Sequence, residues 1–325
     1  MSRKLEEHKK IVTVIGGGTG LSNILRGLKY YPLKINAIVT VSDDGGSSGR
    51  LSEELGVLPP GDIRNCLVAL ADEESLMAKL FQYRFSNGEL KGHSFGNLFL
   101  VAMSSILGDF LLGIKETSKV LAIRGQVLPS TLTRVRLKAT FEDGNEIIGE
   151  TSISSYKKSK IKKIELIPLN PNDKIYATPE AIKTLKESDL IIIGPGSLYT
   201  SILPNLILEE IKETLKKSKG FKIYVCNVMT QPGETTGYKS SDHIKAIIEN
   251  LGFNPVEYMI INTKKPTNEI LQKYRETGAE FVEPDIENVK NLPLKGFLGD
   301  FINESNVVRH DPYKLAGFIV SNFIK

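Results

Sequence analysis

Residues 11–20, with the sequence IVTVIGGGTG, predict the fold of this chain. Five β-favouring residues run directly into a glycine cluster, as expected where a strand ends in a tight turn. The apolar residues that follow have the spacing of one buried helix face, and they are Leu21, Ile24, Leu25 and Leu28. A strand, a glycine turn and a helix start in this order form an anion-binding site, because the first N–H groups of the helix lack helical partners and glycine lets a phosphate approach the backbone. The predicted phosphate-binding residues are Gly16, Gly17, Gly18, Thr19 and Gly20.

The glycine loop differs from two common nucleotide-binding motifs. A Walker loop has a Lys-Ser or Lys-Thr pair after its last glycine, whereas Leu21 and Ser22 follow Gly20 here. The dinucleotide-binding motif G-x-G-x-x-G has its third glycine at the position that Leu21 occupies. A glycine turn that only connects a strand to a helix is therefore the alternative at this point.

The composition is typical of a soluble globular protein. Of 325 residues, 41% are apolar and 25% are charged, and the net charge is +4. This charge balance, without an aromatic and basic RNA-binding motif, predicts no nucleic-acid partner. Cys66 and Cys226 lie in apolar runs and form no disulfide framework, which indicates the reducing cytosol. Because no secretory signal and no apolar run of membrane-spanning length is seen, we expect a cytoplasmic protein without a membrane span.

Strand-like and helix-like segments alternate along most of the chain. This alternation predicts an α/β fold, a three-layer αβα Rossmann-like parallel sheet with right-handed crossovers. Between residues 126 and 168, runs rich in Val, Ile and Thr flank the hairpin-turn sequence Glu-Asp-Gly-Asn at 142–145. We therefore expect a small antiparallel β insertion at 126–168 within a single domain that covers residues 1–325.

Polar, glycine-rich loops follow four of the predicted strands. In an open parallel sheet, ligands bind beyond the carboxyl ends of the strands, at the switch in strand order. Four loops of this chemistry at one edge are difficult to explain by turn formation alone, so the sequence predicts a binding site there. Besides the first glycine loop, the candidate residues are Asp43, Asp44, Gly45, Gly46, Ser47, Gly194, Pro195, Gly196, Ser197, Asn227 and Thr230.

Asp43 and Asp44 follow the second predicted strand and have three alternative roles. Either carboxylate could accept hydrogen bonds from ribose hydroxyls, as an acidic residue does in dinucleotide-binding folds. The pair could instead hold a divalent cation that bridges phosphates. The third alternative is a local turn in which Asp44 hydrogen-bonds the backbone around Gly45 and Gly46. The sequence leaves these alternatives open.

Further candidates lie outside these loops. Asp62 is predicted to cap a helix N-terminus, and Arg64 to make a bidentate phosphate contact, with a solvent-facing arginine as the alternative. His93 is a candidate general acid, general base or phosphate donor, with a capping or packing histidine as the alternative. Arg309 precedes the last predicted helix and would bring a cation to the ligand. Neither a Ser/His/Asp or Cys/His triad nor a zinc site is predicted, so the catalytic residues are unassigned.

Several long motifs occur together in a fixed order. With these motifs the chain resembles the gluconeogenesis-factor family (YvcK-like proteins), within the CofD-like superfamily, nearly from end to end. The motifs are GGGTGL at 16–21, TVSDDGGSSG at 40–49, PPGDIRN at 59–65, FQYRF at 81–85, GH at 92–93, GNL at 96–98, GPGSLYTSILPN at 194–205 and CNVMTQ at 226–231.

The resemblance implies a Rossmann-like fold that binds a nucleotide sugar of the UDP-N-acetylglucosamine type. It implies a regulatory role, in support of cell shape and cell-wall precursor supply during gluconeogenic growth, without an established reaction. Asn65 and Asn97, which lie in its motifs, are included among the ligand-binding residues. A protein partner in amino-sugar or cell-wall synthesis is expected, and Mg²⁺ is a candidate to accompany the nucleotide. The oligomeric state, including a homo-oligomer, is open.

A transferase is the alternative function. The related 2-phospho-L-lactate transferases move a phospholactyl group from a guanosine diphosphate carrier, and they share the glycine loop and an acidic residue near Asp43 and Asp44. Here the acidic pair continues into a glycine- and serine-rich run at 45–49, and residues 59–65 are similar to the regulator branch. Because no nucleophile with a matched base is evident, a ligand-binding regulator is favoured over an enzyme.

Overall fold

The computed structural model describes residues 9–72, 75–304 and 307–324. Its strands are, in chain order, β1 (Ile11–Gly16), β2 (Lys34–Val39), β3 (Gln126–Pro129), β4 (Val135–Phe141), β5 (Glu146–Ile148), β6 (Ile161–Pro168), β7 (Leu190–Ile193), β8 (Phe221–Val225), β9 (Tyr258–Asn262), β10 (Lys295–Gly299), β11 (Ile302–Glu304) and β12 (Val308–His310).

The helices surround these strands, and one π-helical turn (Leu198–Ile202) interrupts them. They are α1 (Gly18–Leu28), α2 (Gly46–Leu55), α3 (Gly61–Leu70), α4 (Leu76–Gln82), α5 (Phe95–Leu107), α6 (Phe110–Val120), α7 (Glu150–Ser155), α8 (Pro179–Glu187), α9 (Leu203–Leu206), α10 (Glu209–Lys217), α11 (Ser240–Leu251), α12 (Asn268–Glu276), α13 (Ile286–Lys290) and α14 (Pro312–Phe323). Within the described ranges, none of these helices is long and apolar enough to cross a bilayer.

The central sheet has seven parallel strands in the order β10-β9-β8-β7-β1-β2-β3. The chain runs from β1 outward through β2 to β3, then returns to place β7 on the other side of β1. The strand order therefore switches direction between β1 and β7. This arrangement confirms the predicted α/β fold.

Alternate residues of β1 pack against helices on opposite faces of the sheet, as the two-residue period of a strand requires. Val12 and Val14 belong to a core with α1, α3 and α14, whereas Ile15 belongs to a core with α8, α10 and α11. Both faces are covered, which explains why β7 is apolar throughout and β1 is apolar except for Thr13 and Gly16. The three predicted layers are thus present.

The β insertion is present, but it begins later than predicted. Strands β4, β5 and β6 form an antiparallel sheet in the order β5-β4-β6, and the turn at 142–145 joins β4 to β5. The segment at 126–129 is instead β3, which pairs in parallel with β2 at the edge of the central sheet. The early boundary at 126 is therefore wrong, because a four-residue strand has too short a pattern to reveal its partner.

Candidate functional site

The glycine loop joins β1 to α1 at the carboxyl end of the sheet. Gly17 caps α1 with an extended backbone, and Gly18 has a φ of 62°, in the left-handed region that favours glycine. A side chain at Gly17 has no space, because its Cβ would lie 2.7 Å from Asp62 Oδ2. The N–H groups of Thr19 and Gly20 lie in the first turn of α1 and have no partner within the helix. They are N–H donors at a helix start, as the sequence predicts for this loop.

The loop after β7 packs against the glycine loop. A Cβ on Gly20 would overlap the carbonyl of Pro195, so this close approach requires glycine. Asn227, which follows β8, braces the same loop. Its Nδ2 donates to the Gly196 carbonyl at 2.7 Å, and its Oδ1 accepts from the Gly196 N–H at 3.3 Å. The Asn227 amide therefore shapes the loop through contacts within the protein.

A cavity of about 280 Å³ lies between these loops. Because β1 and β7 flank the switch in strand order, the cavity occupies the position where parallel α/β sheets bind ligands. The predicted residues that line it are Gly17, Gly18, Thr19, Gly20, Pro195, Gly196, Ser197, Asn227 and Arg309. The lining residues that the sequence reasoning missed are Asn23, Ser201, Val228, Met229, Gln231, Val308 and His310.

Two buried polar atoms of the cavity lining lack a hydrogen-bond partner in the described structure, Gln231 Oε1 and His310 Nε2. Gln231 uses its Nε2 to donate to Ser197 Oγ at 2.5 Å. Burial lowers the pKa of His310 to about 4, so its imidazole is neutral at pH 7, although a hydrogen bond with the backbone of Cys226 acts in the opposite direction. Buried groups of this kind usually have a partner, so a ligand is a natural source of one.

The strand β12 brings Arg309 and His310 to the cavity. Asn23, on α1, donates from its Nδ2 to the His310 carbonyl, which fixes β12 beside the glycine loop. The Arg309 side chain is exposed. Arg309 thus lies where the sequence analysis expects it, next to the cavity and from the C-terminal part of the chain. The sequence reasoning missed His310, although it directly follows Arg309, and this adjacency was the signal that could have revealed it.

Asp62 does not cap a helix, contrary to the prediction. Helix α3 begins at Gly61 with Pro60 as its cap residue, so Asp62 lies in the first turn. Its Oδ2 accepts a hydrogen bond from the Gly18 N–H at 2.7 Å, so one donor of the glycine loop is occupied by the protein itself. Burial, followed by the charge of Asp43, raises the pKa of Asp62 to about 6.

Asp43 and Asp44 have separate contacts. Asp43 Oδ1 accepts from the Gly45 N–H at 2.9 Å, a local turn, and burial raises the pKa of Asp43. Asp44 Oδ1 accepts from the Thr151 N–H at 3.0 Å and from the Thr151 hydroxyl at 2.8 Å. The local turn thus uses Asp43, whereas the sequence reasoning assigned it to Asp44. Asp44 instead binds the insertion helix α7.

Two further carboxyl groups, which the sequence reasoning missed, belong to this acidic region. Burial raises the pKa of Glu150 to about 9, and the charges of Asp43 and Asp62 act in the same direction. Glu234 is buried, its pKa is raised, and it accepts from Ser154 of α7 at 2.9 Å. In the part of the chain that the structure describes, no three His, Cys, Asp or Glu residues are arranged to hold a metal ion.

Ser47, His93 and Asn97 form a buried hydrogen-bonded group outside the cavity. Ser47 Oγ lies 3.0 Å from His93 Nδ1, and Asn97 Nδ2 donates to the same oxygen at 3.1 Å. Asn97 thus contacts the hydroxyl, whereas the third residue of a catalytic triad orients the imidazole. Burial, followed by the charge of Arg50, lowers the pKa of His93.

The remaining predicted residues also lie outside the cavity lining. Arg64 Nη2 donates to Asn65 Oδ1 at 2.6 Å, beside the Ser47 group. Thr230 is buried and bonded to Glu280 through both its N–H, at 2.7 Å, and its hydroxyl, at 2.8 Å. The carbonyl of Gly16 accepts from Asn205 Nδ2 at 3.1 Å. Most of the predicted set thus divides into the cavity, the acidic region and the area around His93, and the first of these lies at the strand switch.

Comparison with known proteins identifies the family. The family model described as 2-phospho-L-lactate transferase CofD matches residues 12–302. A gluconeogenesis factor from Bacillus subtilis is 48% identical over 96% of this chain and 98% of that protein, and one from Halalkalibacterium halodurans is 47% identical over 96% of each. The chain belongs to the gluconeogenesis-factor family, among the CofD-like proteins.

A solved crystal structure shares this fold. A crystal structure of a Bacillus halodurans protein is 47% identical, with a TM-score of 0.91, and the match covers 96% of this chain and 99% of that chain. A relative from Nostoc is 54% identical over 97% of this chain, which corresponds to 68% of its own length. The resemblance drawn from the sequence motifs is therefore confirmed.

Proposed function

We propose that this member of the gluconeogenesis-factor family binds a nucleotide sugar of the UDP-N-acetylglucosamine type in the cavity between β1 and β7. The observation that carries the proposal is the convergence of first-turn N–H groups of α1, at Thr19 and Gly20, with the Arg309 side chain on one cavity. Backbone amides at a helix start and an arginine are the groups that proteins use for phosphates. The diphosphate would lie against them.

The rest of the cavity suits the nucleoside part of such a ligand. Val228, Met229 and Val308 are apolar lining residues, and Gln231 and His310 place the unpartnered atoms described above beside them. A ligand site with apolar walls and a few polar groups is typical for small molecules. At about 280 Å³ the cavity holds part of a nucleotide sugar, so the remainder would extend from its mouth.

Mg²⁺ fits this site only together with the ligand. Protein sites for Mg²⁺ commonly supply one or two carboxylates, and phosphate oxygens and water complete the octahedron. Asp43 and Asp62 are the carboxylates placed for this. Burial raises the pKa of both, the charge of Asp43 raises the pKa of Asp62 further, and Asp62 accepts a hydrogen bond from the Gly18 N–H of the glycine loop. The cation would neutralise the repulsion between the diphosphate and this pair.

The biological role that we propose is regulatory. The relatives' names connect the family with gluconeogenesis. The resemblance to the gluconeogenesis-factor family implies support of cell shape and cell-wall precursor supply. The ligand would report the level of the amino-sugar precursor in the cytoplasm, and a protein partner in amino-sugar or cell-wall synthesis would receive the signal. Association into homo-oligomers is one route by which ligand binding could be transmitted.

A transferase is the second candidate, and the Asp43–Asp62 pair favours it. The family model carries the name of a transferase, and two buried carboxyl groups with raised pKa values beside a phosphate site could hold the cation of a group transfer. The donor would be a nucleoside-diphosphate-linked compound.

A thermal-shift panel tests the proposed ligand. The protein is heated with UDP-N-acetylglucosamine, UDP, GDP-mannose and NAD, each with and without Mg²⁺, since specific binding raises the Tm by mass action. The UDP sugar should give the largest shift. Equal shifts for all four compounds, or none, would refute the proposal. Release of UMP during long incubation with the UDP sugar and Mg²⁺, with the sugar phosphate passed to water or to an added acceptor, would establish the transferase instead of the regulator.

A further inference from the structure

Three arginines around His93 have no carboxylate partner. Arg50 lies on α2, Arg64 on α3, and Arg84 follows α4; among the described residues none of them forms an ion pair. Their guanidinium groups contact neutral acceptors instead. Arg50 donates to the Lys91 carbonyl at 3.0 Å, and Arg84 donates to the Gly92 carbonyl. Positive charges held together without a salt-bridge partner favour the binding of an anion beside them.

The arginines lie close to each other and to the buried histidine. The charge of Arg84 lowers the pKa of Arg64 and the charge of Asp62 raises it, while the charges of Arg50 and Arg84 both lower the pKa of His93, in each case after the larger effect of burial. The charge of the Glu54 carboxylate raises the pKa of His93.

Two glycines leave space for the arginine side chains beside the loop backbone. A Cβ at Gly92 would lie 3.1 Å from Arg50 Nη2, and one at Gly96 would lie 2.8 Å from Arg64 Cδ. The loop sequence GHSFGN at 92–97 thus lies against Arg50 and Arg64. Gly96 also makes room for the Phe81 carbonyl, which would lie 2.7 Å from a Cβ at this position.

The hydrogen bonds around His93 leave one of its ring N–H groups able to donate to a ligand. The Asn97 amide donates to Ser47 Oγ, so the Ser47 hydroxyl can donate to His93 Nδ1. A neutral imidazole that accepts at Nδ1 carries its proton on Nε2. The buried Nε of Arg64 is a second N–H without a partner in the described structure. Ser47 and Asn97 also lie in the first turns of α2 and α5, where the helix dipole favours an anion.

We propose that Arg50, Arg64, Arg84 and His93 form a second anion-binding site, which takes a phosphomonoester. A doubly charged phosphate group has enough oxygens to accept from several guanidinium and imidazole N–H groups at once. The site is separate from the cavity, because none of these four residues lines the cavity. It is also independent of the proposed nucleotide-sugar function, since the two sites share no residue.

The probes for this site are inorganic phosphate and glucose 6-phosphate, titrated at constant ionic strength while the Tm is recorded. The Tm of the wild-type protein should rise with saturation for at least one probe. Tighter binding of glucose 6-phosphate would identify an esterified phosphate as the ligand, and equal binding would identify the free ion. A wild-type protein with no saturable shift would overturn the proposal.

Two exposed arginines provide the test variants, Arg84→Ala and Arg50→Ala, and Arg124→Ala, at an exposed arginine just before β3, is the matched control. Each test variant should bind the probe at least about tenfold more weakly, as expected for the loss of a charge-assisted hydrogen bond, while the control binds like the wild type. Both test variants should keep their affinity for UDP-N-acetylglucosamine. Unchanged phosphate binding in folded Arg84→Ala and Arg50→Ala would contradict the assignment.

Discussion

The Gly18–Asp62 hydrogen bond joins residues 44 positions apart and changes the interpretation of the glycine loop. The sequence predicted the strand, the turn and the N–H donors correctly. It gave no sign that a carboxylate would occupy one donor, because that contact depends on how α3 packs against α1. The loop therefore offers its remaining donors, at Thr19 and Gly20, next to a negative charge that titrates near pH 6.

This charge predicts a pH dependence of ligand binding. The diphosphate of UDP-N-acetylglucosamine keeps its charge between pH 5 and 8, whereas Asp62 loses its proton around pH 6. Without Mg²⁺, the affinity should therefore fall several-fold from about pH 5 to about pH 7.5, because the carboxylate repels the ligand. Calorimetry of Asp62→Asn should show little of this fall, and the exposed Asp173→Asn should retain it. A fall of equal size in Asp62→Asn would assign the effect to another group.

Arg309 provides a second side-chain prediction. Arg309→Ala should weaken nucleotide-sugar binding by about tenfold or more, because a charge-assisted contact to phosphate is lost. Since the side chain is exposed, the Tm of the free protein should change little. Calorimetric titration measures the affinity, with Arg124→Ala as the control. Full affinity in Arg309→Ala would place this residue outside the ligand site.

Among the secondary-structure elements, those with long apolar patterns were predictable and short ones were not. The last predicted helix, which Arg309 precedes, is present as α14, and Asp311 caps it by accepting hydrogen bonds from the N–H groups of Tyr313 and Lys314 at 2.9 and 3.0 Å. The polar loop predicted after the second strand ends at Gly46, where helix α2 begins; the sequence hid this helix because serine and glycine are typical of turns. After β7, a π-helical turn and the separate helices α9 and α10 follow one another, a division that the sequence pattern does not show.

The short helix α7 of the insertion covers the acidic region, which no local pattern could predict. Its Thr151 binds Asp44, its Ser154 binds Glu234, and its Glu150 faces the other carboxyl groups. Seen from the sequence, residues 150–155 are only a polar stretch. Their function as a cover follows from the tertiary contacts of the inserted sheet.

Glu150 makes the stability of the fold dependent on pH. Its pKa is about 9 in the folded protein and lies near 4.5 without the fold, so the folded state binds the extra proton between these values. Its contribution to stability is therefore complete below about pH 4.5 and is lost as the pH rises through about 9. The Tm should fall between pH 6 and 9, and Glu150→Gln should reduce this fall, whereas the exposed Glu142→Gln should not. An unchanged pH profile in Glu150→Gln would show that its carboxyl group is solvated.

For the protein as a whole, the parallel sheet and its layers followed from the alternation of strand and helix patterns. The position of the site followed from a general property of such sheets, that ligands bind where the strand order switches. What the sequence could not show is which polar loops meet there. The loops after β1, β7 and β8 meet around the cavity, together with β12 from the far end of the chain, whereas the loop after β2 turns toward the acidic region and His93.

The most direct test is a calorimetric titration of UDP-N-acetylglucosamine into Gly18→Asn. Asparagine tolerates the left-handed backbone at this position, and a Cβ there would meet only Ser201 Oγ, at 3.6 Å, so the fold should persist while the side chain enters the cavity. Gly252→Asn, at a left-handed residue with open space around it, is the matched control. We expect one site with wild-type affinity in Gly252→Asn and no measurable binding in folded Gly18→Asn. Wild-type affinity in Gly18→Asn would contradict the assignment of the diphosphate to this loop.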